Sequence, residues 1–454
     1  MSGKPPCLKI LVGVVKKNKN MKIIKITNSP SYLFTLLLLT IFSSFTSINC
    51  KINDEVKANG PKVIKDKLYK SGVLTSPIYS FTTEYDQMRV DKTQKGLFFN
   101  GLNYHGKPTK VFCWYSAPSN LAVGQKAPAV ILVHGGGGTL FPEWVKIWNE
   151  KGFIAISVAL EGQVPGARDL NSPLEMKWPR INESGPFRKG FFSDLENENI
   201  EDSWFYHAVA NVILANSLLR SFPEVDQTKI GITGISWGGI LTNVITGIDN
   251  RFSFAIPVYG CGYLLETPTY SKQFKALSVK AQNTYLEYFE PSLYIPLQKQ
   301  TTLFVNGSND SHFTMNSFTK SYLASKTEKY LSINYKMAHG HQPGWAPKEI
   351  YAFASYVVNN DRLKKPIVPV SQGISQNNIQ FKYQGEILQS KLYFTTDTSD
   401  WAATHYNWVE VPAQISPDTK NINTSFPNDA LYYFLNSTSA SGDSYSSPMT
   451  KIKK

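Results

Sequence analysis

At 454 residues, with 42% hydrophobic and 13% aromatic residues, the chain is long enough for two or three folded units and too apolar to be disordered. Of its net charge of +13, seven positive charges fall in residues 1–50 (Lys4, Lys9, Lys16, Lys17, Lys19, Lys22 and Lys25, with no Asp or Glu), leaving +6 for the rest. So dilute a charge is a solvated basic surface rather than a phosphate-binding footprint, which excludes nucleic acid as the expected partner.

The lysine-rich start ends near Lys25 and is followed by an apolar run of fourteen residues, Tyr32 to Phe45 (YLFTLLLLTIFSSF). That is the length of a signal-peptide core and short of the roughly 20 residues that span a bilayer. Small residues at Ser43, Ser44 and Ser47 stand where cleavage is expected, and Met21 is an alternative start. Residues 1–50 are therefore read as a signal peptide with a preceding basic segment. The mature protein is expected to be secreted, with no stable membrane span once the signal is cleaved; a retained signal anchor or an endolysosomal destination stays open. Cleavage near Cys50 leaves Cys113 and Cys261, either paired or as buried thiols. Sequons at Asn182, Asn423 and Asn436 fit a secreted glycoprotein. Those at Asn306 and Asn309 lie beside a candidate catalytic Asp and are not expected to carry glycans.

Residues 97–116 read as a hairpin of two aromatic-rich strands turning at His105-Gly106-Lys107-Pro108. From about Pro128 the texture alternates. Ala129–His134 is a continuous apolar run, as expected of a strand buried on both faces, then come a helix around Phe141–Lys151 and a strand at Phe153–Ala159. Residues 161–200 have little periodicity, and a long excursion of this kind is usually functional or disordered. A helix over Asp202–Ser221, with Asp202 near its start, leads to strand Lys229–Thr233, helix Trp237–Gly247 and strand Phe252–Val258. After an insertion to about Gln300 follow strand Thr301–Asn306, helix Ser317–Lys326, strand Lys329–Lys336 and helix Pro347–Asn360. Such alternation predicts a mostly parallel sheet covered by helices on both faces, an α/β domain over 70–362. Beyond a linker at Leu363–Pro369 the helical signal stops, and 367–454 reads as a small immunoglobulin-like β-sandwich.

The chemistry centres on Gly234-Ile235-Ser236-Trp237-Gly238, between a predicted strand and a predicted helix. A nucleophile elbow needs a serine on a sharp strained turn, and flanking glycines remove side chains that would collide there. Upstream, His134-Gly135-Gly136-Gly137-Gly138 closes a buried strand, and glycines expose backbone N–H groups to a developing negative charge. The oxyanion donors are expected from Gly136 or Gly137 and from the backbone of Trp237. Asp310 follows the strand Thr301–Asn306, where an orienting carboxylate belongs. The next strand runs into Met337-Ala338-His339-Gly340-His341, in which two histidines compete for the base. His341 is preferred because it follows a glycine in a loop that must bend back to Ser236, and His339 is the alternative. His312 is read as a loop histidine, His207 as a packing or capping residue in its helix and His105 as part of a turn. No Cys/His cluster has metal-ligand spacing, so neither a metal nor a cofactor is expected.

The stretch from Ser221 to Gly262, with Pro223-Glu224-Val225-Asp226 leading into the elbow strand and Asp249-Asn250-Arg251-Phe252 into the next, resembles the acetylxylan esterase and cephalosporin-C deacetylase-like, dienelactone-hydrolase-related branch of the α/β-hydrolases. The resemblance covers about 70–360 and implies an α/β-hydrolase fold whose members cleave small acyl esters, often acetyl groups on sugars. Trp401, Trp408 and Ser446-Ser447-Pro448 look like the β-rich tail of secreted bacterial-type hydrolases, including the PhoPQ-activated pathogenicity-related group. The expected function is a secreted serine hydrolase acting on a small-molecule or carbohydrate ester through Ser236, His341 and Asp310. The alternatives are a peptidase of prolyl-oligopeptidase type, for whose large propeller the sequence leaves no room, and a binding or adhesion protein on a hydrolase scaffold. Trp401 is read as sandwich core in preference to a sugar-stacking residue.

Overall fold

The structure, a computed structural model, describes residues 59–398, 401–402 and 406–452. The targeting segment expected in residues 1–50 lies outside them. Among the described residues no helix is long and apolar enough to cross a membrane. They fall within one compact unit.

A helix over 59–70 (α1) precedes three antiparallel strands, β1 (Tyr79–Thr82), β2 (Lys95–Asn100) and β3 (Lys110–Ser116). The expected hairpin is β2 and β3, turning at His105 with φ 48°. The parallel strands are β4 (Ala127–Val133), β5 (Ile154–Val158), β6 (Val225–Ile235), β7 (Phe254–Val258), β8 (Thr301–Gly307) and β9 (Lys329–Asn334), in the order β1-β2-β3-β5-β4-β6-β7-β8-β9. β4, β5 and β7 are apolar and buried almost throughout because helices cover both faces of the sheet. Those helices are α2 (Pro142–Glu150), α3 (Trp204–Leu219), α4 (Trp237–Ile248), α7 (Met315–Ala324) and α9 (Lys348–Asn359). Every residue of α3 is buried, and its N-cap is Ser203, one residue past the expected Asp202. Asp194 also accepts from Trp204 N at 2.9 Å, so a residue from the long excursion satisfies a free N–H of that helix.

The two long excursions carry little regular structure. Within 161–200 a single antiparallel bridge joins Gln163 to Arg180, and Arg180 forms an ion pair with buried Glu161 at 3.0 Å. Residues 259–300 hold the short helices α5 (Pro268–Lys275) and α6 (Val279–Thr284). Both excursions lie at the C-terminal ends of the parallel strands, where α/β sheets bind their ligands.

Beyond 369 two antiparallel sheets form. One has the order β10 (Val370–Ser375), β11 (Asn378–Lys382), β15 (Asn421–Ser425), β14 (Gln414–Ser416). The other has β13 (Val409–Pro412), β12 (Gln389–Thr395), β16 (Tyr432–Thr438), β17 (Ser444–Ser446), with β18 (Thr450–Lys451) also on β16. Strand alternation divides the second sheet between two cores. Leu392, Phe394, Tyr433 and Leu435 join Ile379, Phe381 and Ile422 in a small separate cluster, while Tyr393 and Phe434 face the main core of the α/β part. Trp401 packs edge-on to Tyr406 and Tyr432 as part of that core. Cys113 and Cys261 are free, buried thiols.

Candidate active site

Ser236 terminates β6 and opens α4 with φ 58° and ψ −116°, a conformation that a non-glycine residue holds only when its surroundings enforce it. Ser236 N–H donates to the Val258 carbonyl at 2.9 Å, tying the elbow to the next strand. The flanking glycines are sterically required: a Cβ on Gly234 would lie 2.1 Å from the Gly238 carbonyl oxygen, and one on Gly238 would lie 2.0 Å from that of Val133. The turn therefore lifts the hydroxyl above the sheet at a helix N-terminus.

Asp310 follows β8 and is buried. Its Oδ1 accepts from the backbone N–H groups of His312 and Phe313, both at 2.8 Å, and its Oδ2 contacts His339 Nδ1 at 2.6 Å. The other nitrogen of that ring, Nε2, lies 3.0 Å from Ser236 Oγ. The preference for His341 is thus corrected in geometry: His339 is the imidazole between the Ser236 hydroxyl and the Asp310 carboxylate. The reason is the path of the chain after β9. Lys336 turns it at φ 52°, and Met337 comes so close to the acid loop that a Cβ on Gly307 would sit 2.5 Å from its carbonyl oxygen. His339 is then set over Asp310, whereas His341 already begins the short helix α8 (His341–Trp345).

His341 holds the glycine loop instead. Its Nε2 accepts from Gly135 N–H at 2.9 Å, and its ring stands 4.7 Å from Phe141. Burial, together with His134 and His339 nearby, pushes its pKa down to about 3, so Nε2 stays an acceptor. The loop carries Gly136 alongside Trp237: a Cβ on Gly136 would meet Trp237 Cδ1 at 2.8 Å. Trp237 is the first residue of α4, so its N–H has no acceptor within the helix and is free for an oxyanion. Gly137 turns the other way at φ 66°, toward Leu174, and its carbonyl accepts from Trp178 Nε1 at 2.9 Å.

Residues 197–358, which include Ser236, Asp310 and His339, match the Peptidase_S9 family, the prolyl oligopeptidase family. The fold is similar to that of an acetyl xylan esterase from Paenibacillus sp. R4, at TM-score 0.51 and 16% identity, over 66% of this chain and 94% of that one. The chain is a serine hydrolase of the α/β-hydrolase fold. This hydrolase is also similar to acetyl xylan esterase 1 from Thermoanaerobacterium sp. JW/SL YS485 (TM-score 0.47, 15% identity, 62% of this chain and 88% of that one). A further similarity is to an acylaminoacyl peptidase from Pyrococcus horikoshii (TM-score 0.43, 21% identity, 65% of this chain and 45% of that one). The expected fold class and the likeness to acetylxylan esterase-type α/β-hydrolases agree with the family match and with the Paenibacillus structure.

Several residues of the hydrolase site carried no sequence signal. Tyr259, at φ 61°, lays its ring 4.5 Å from that of His339 and donates to the Ala338 carbonyl at 2.6 Å, holding the loop that carries His339. Arg188, from the excursion, is buried with its guanidinium 4.8 Å from the Trp237 ring, and a Cβ on Gly136 would lie 2.8 Å from its Nη2. A fixed cation thus borders the expected oxyanion donors. Phe191 and Tyr270 stack at 5.2 Å beside Trp237. His312 lies in a loop, as expected, with its ring 4.7 Å from that of His339. His207 is buried in α3 against Tyr104.

On the outer side of the glycine loop opens a pocket of about 660 Å³, lined by Gly136, Gly137, Phe141, Leu174, Trp178 and His341 among others. Two groups bring three metal-binding side chains together among the described residues: Asp310, His312 and His339, and the more exposed His105, Glu198 and Asp202. In the first, the Asp310–His339 contact is the 2.6 Å hydrogen bond described above.

Proposed function

We propose that the protein is a carboxylic-ester hydrolase that works through a Ser236–His339–Asp310 triad and an acyl-enzyme, on small acyl esters including acylated carbohydrate. The reading rests on one observation, the 3.0 Å approach of His339 Nε2 to Ser236 Oγ with Asp310 behind the ring. His339 takes the Ser236 proton as Oγ attacks the ester carbonyl carbon. The oxyanion of the tetrahedral intermediate faces the N–H groups of Gly136 and Trp237. Collapse breaks the ester C–O bond, and His339 gives its proton to the departing alcohol. Water, deprotonated by His339, then attacks the acyl-enzyme, releasing the carboxylic acid and restoring Ser236. Asp310 holds the imidazole in the tautomer with Nδ1–H. The aromatic pocket beside Gly136 and Gly137 suits the apolar flank of the ester. We also propose that the protein acts outside the cell, on the strength of the apolar run at Tyr32–Phe45.

Peptidase activity is the second reading, favoured by the family matched over 197–358. Purified protein should be assayed on p-nitrophenyl esters of increasing acyl length and on acylated amino-acid and proline p-nitroanilides. The ester reading expects hydrolysis of short acyl esters and loss of at least about 10⁴-fold in kcat for Ser236→Ala. Turnover of anilides with inert esters would replace it with the peptidase.

A further inference from the structure

Tyr406 and Trp408 lie in the C-terminal β-rich part, outside the stretch that matches a known family. Both are buried, and their polar tips converge on a single atom: Tyr406 OH donates to the Ser308 carbonyl at 3.1 Å and Trp408 Nε1–H at 3.0 Å. Ser308 stands two residues before Asp310. Asn309 completes the link by donating from Nδ2 to the Tyr406 carbonyl at 3.3 Å. On its other side the same turn is tied to the base loop, Ser308 N–H donating to the Asn334 carbonyl and Lys336 N–H to Ser308 Oγ, both at 3.0 Å.

We propose that Tyr406 and Trp408 are positioning residues for the catalytic acid: together they saturate the Ser308 carbonyl and so fix the turn that presents Asp310 to His339. The inference rests on the triad reading above. A buried carbonyl has two acceptor directions, and filling both leaves its peptide plane one orientation. The donors are themselves fixed, since Trp408 packs edge-on to Phe434 of β16 at 4.8 Å and leads directly into β13. The hydroxyl of Tyr406 also feels the acid, for burial and then the Asp310 charge push its pKa up. The C-terminal sheets are in this way a working part of the active site.

The test is the rate of Ser236 labelling by a fluorophosphonate, with kcat and KM on p-nitrophenyl acetate, for full-length Tyr406→Phe, Trp408→Phe and the double variant. Each change keeps a ring and removes one donor; Tyr406→Phe, which removes a single oxygen, is the variant least able to disturb folding. In the double variant labelling and kcat should fall about 10- to 100-fold with KM within about twofold of wild type. Phe381→Ala, in the separate small core, should lower the melting temperature and leave labelling and kcat in place. An unchanged rate in the folded double variant overturns the proposal, as does a Phe381→Ala variant with the same loss of kcat. Absence of labelling in wild type, or its persistence in Ser236→Ala, overturns the triad reading and this inference with it.

Discussion

His339 and His341 are two positions apart, yet their Nε2 atoms meet different partners, Ser236 Oγ at 3.0 Å and Gly135 N at 2.9 Å. Their substitutions should therefore differ in kind. His339→Ala should cost at least about 10⁴-fold in kcat, as loss of a triad base does. His341→Phe, which leaves Gly135 N–H without its acceptor, should cost roughly 10- to 100-fold through a displaced oxyanion loop. A His341→Gln variant, which restores an acceptor, should recover part of that loss, and steady-state kinetics of the three decide it. Arg188→Gln should lower kcat by about 10-fold, since it removes a cation from the border of the oxyanion site, and should also lower the melting temperature, because the guanidinium is buried against Trp204 and Trp237. At this scale the sequence placed Ser236, Asp310 and the loop bearing His339 and His341 at the ends of legible strands, where the structure has them. It did not separate the two histidines. That choice depends on the φ of Lys336 and on where α8 begins, which neither spacing nor composition encodes.

Among the secondary-structure elements, β4, β5, β7 and β8 were legible because they are buried almost throughout, and β6 only in its buried half from Ile230. β1 escaped notice, being an edge strand with three of its four residues exposed, and α8 is too short for a periodic signal. The elbow joins these elements at backbone-to-backbone contact, which makes it intolerant in a testable way. Gly238→Ala would put a Cβ 2.0 Å from the Val133 carbonyl oxygen, so β4 and α4 would have to part. The cost should exceed about 4 kcal/mol and show as loss of the cooperative thermal transition. Gly72→Ala meets nothing within 4 Å and bears only the strain of its φ of 84°, so a shift of about 1 kcal/mol is expected.

For the molecule as a whole, buried imidazoles set an acid limit. Burial pushes His207 down to about 4 in the folded chain, against about 6.5 when unfolded. Above pH 7 both states hold it neutral and it contributes nothing. As pH falls below 6.5 the unfolded chain takes a proton that the folded chain refuses, so stability is lost, by roughly 3 kcal/mol near pH 4. Buried Glu290 and Glu349, raised by desolvation, act in the opposite sense and blunt the total. His207→Gln should therefore flatten the fall of melting temperature between pH 6.5 and 4 relative to wild type. Long-range relations of this size were invisible in the sequence: nothing in residues 400–410 announces a partner a hundred residues earlier at Ser308. The sequon at Asn436 misleads for the same reason. Its carboxamide is buried, donating to the Ile333 carbonyl at 2.9 Å and accepting from Ser446 Oγ at 2.6 Å, so glycopeptide mapping should find any glycan on exposed Asn182 or Asn423 instead.

That Asn436–Ser446 pair has another consequence. β9 is the last strand of the nine-stranded sheet, and at Ile333 its outward N–H is taken by Ser446 Oγ at 2.7 Å and its outward carbonyl by Asn436 Nδ2. Two side chains impersonate a tenth strand there. Removing them, by Asn436→Ala with Ser446→Ala, would bare an apolar edge ready to recruit a strand from another copy. Turbidity rising with protein concentration on mild warming, before any loss of helix signal, would be the sign that this lock against self-association had been opened.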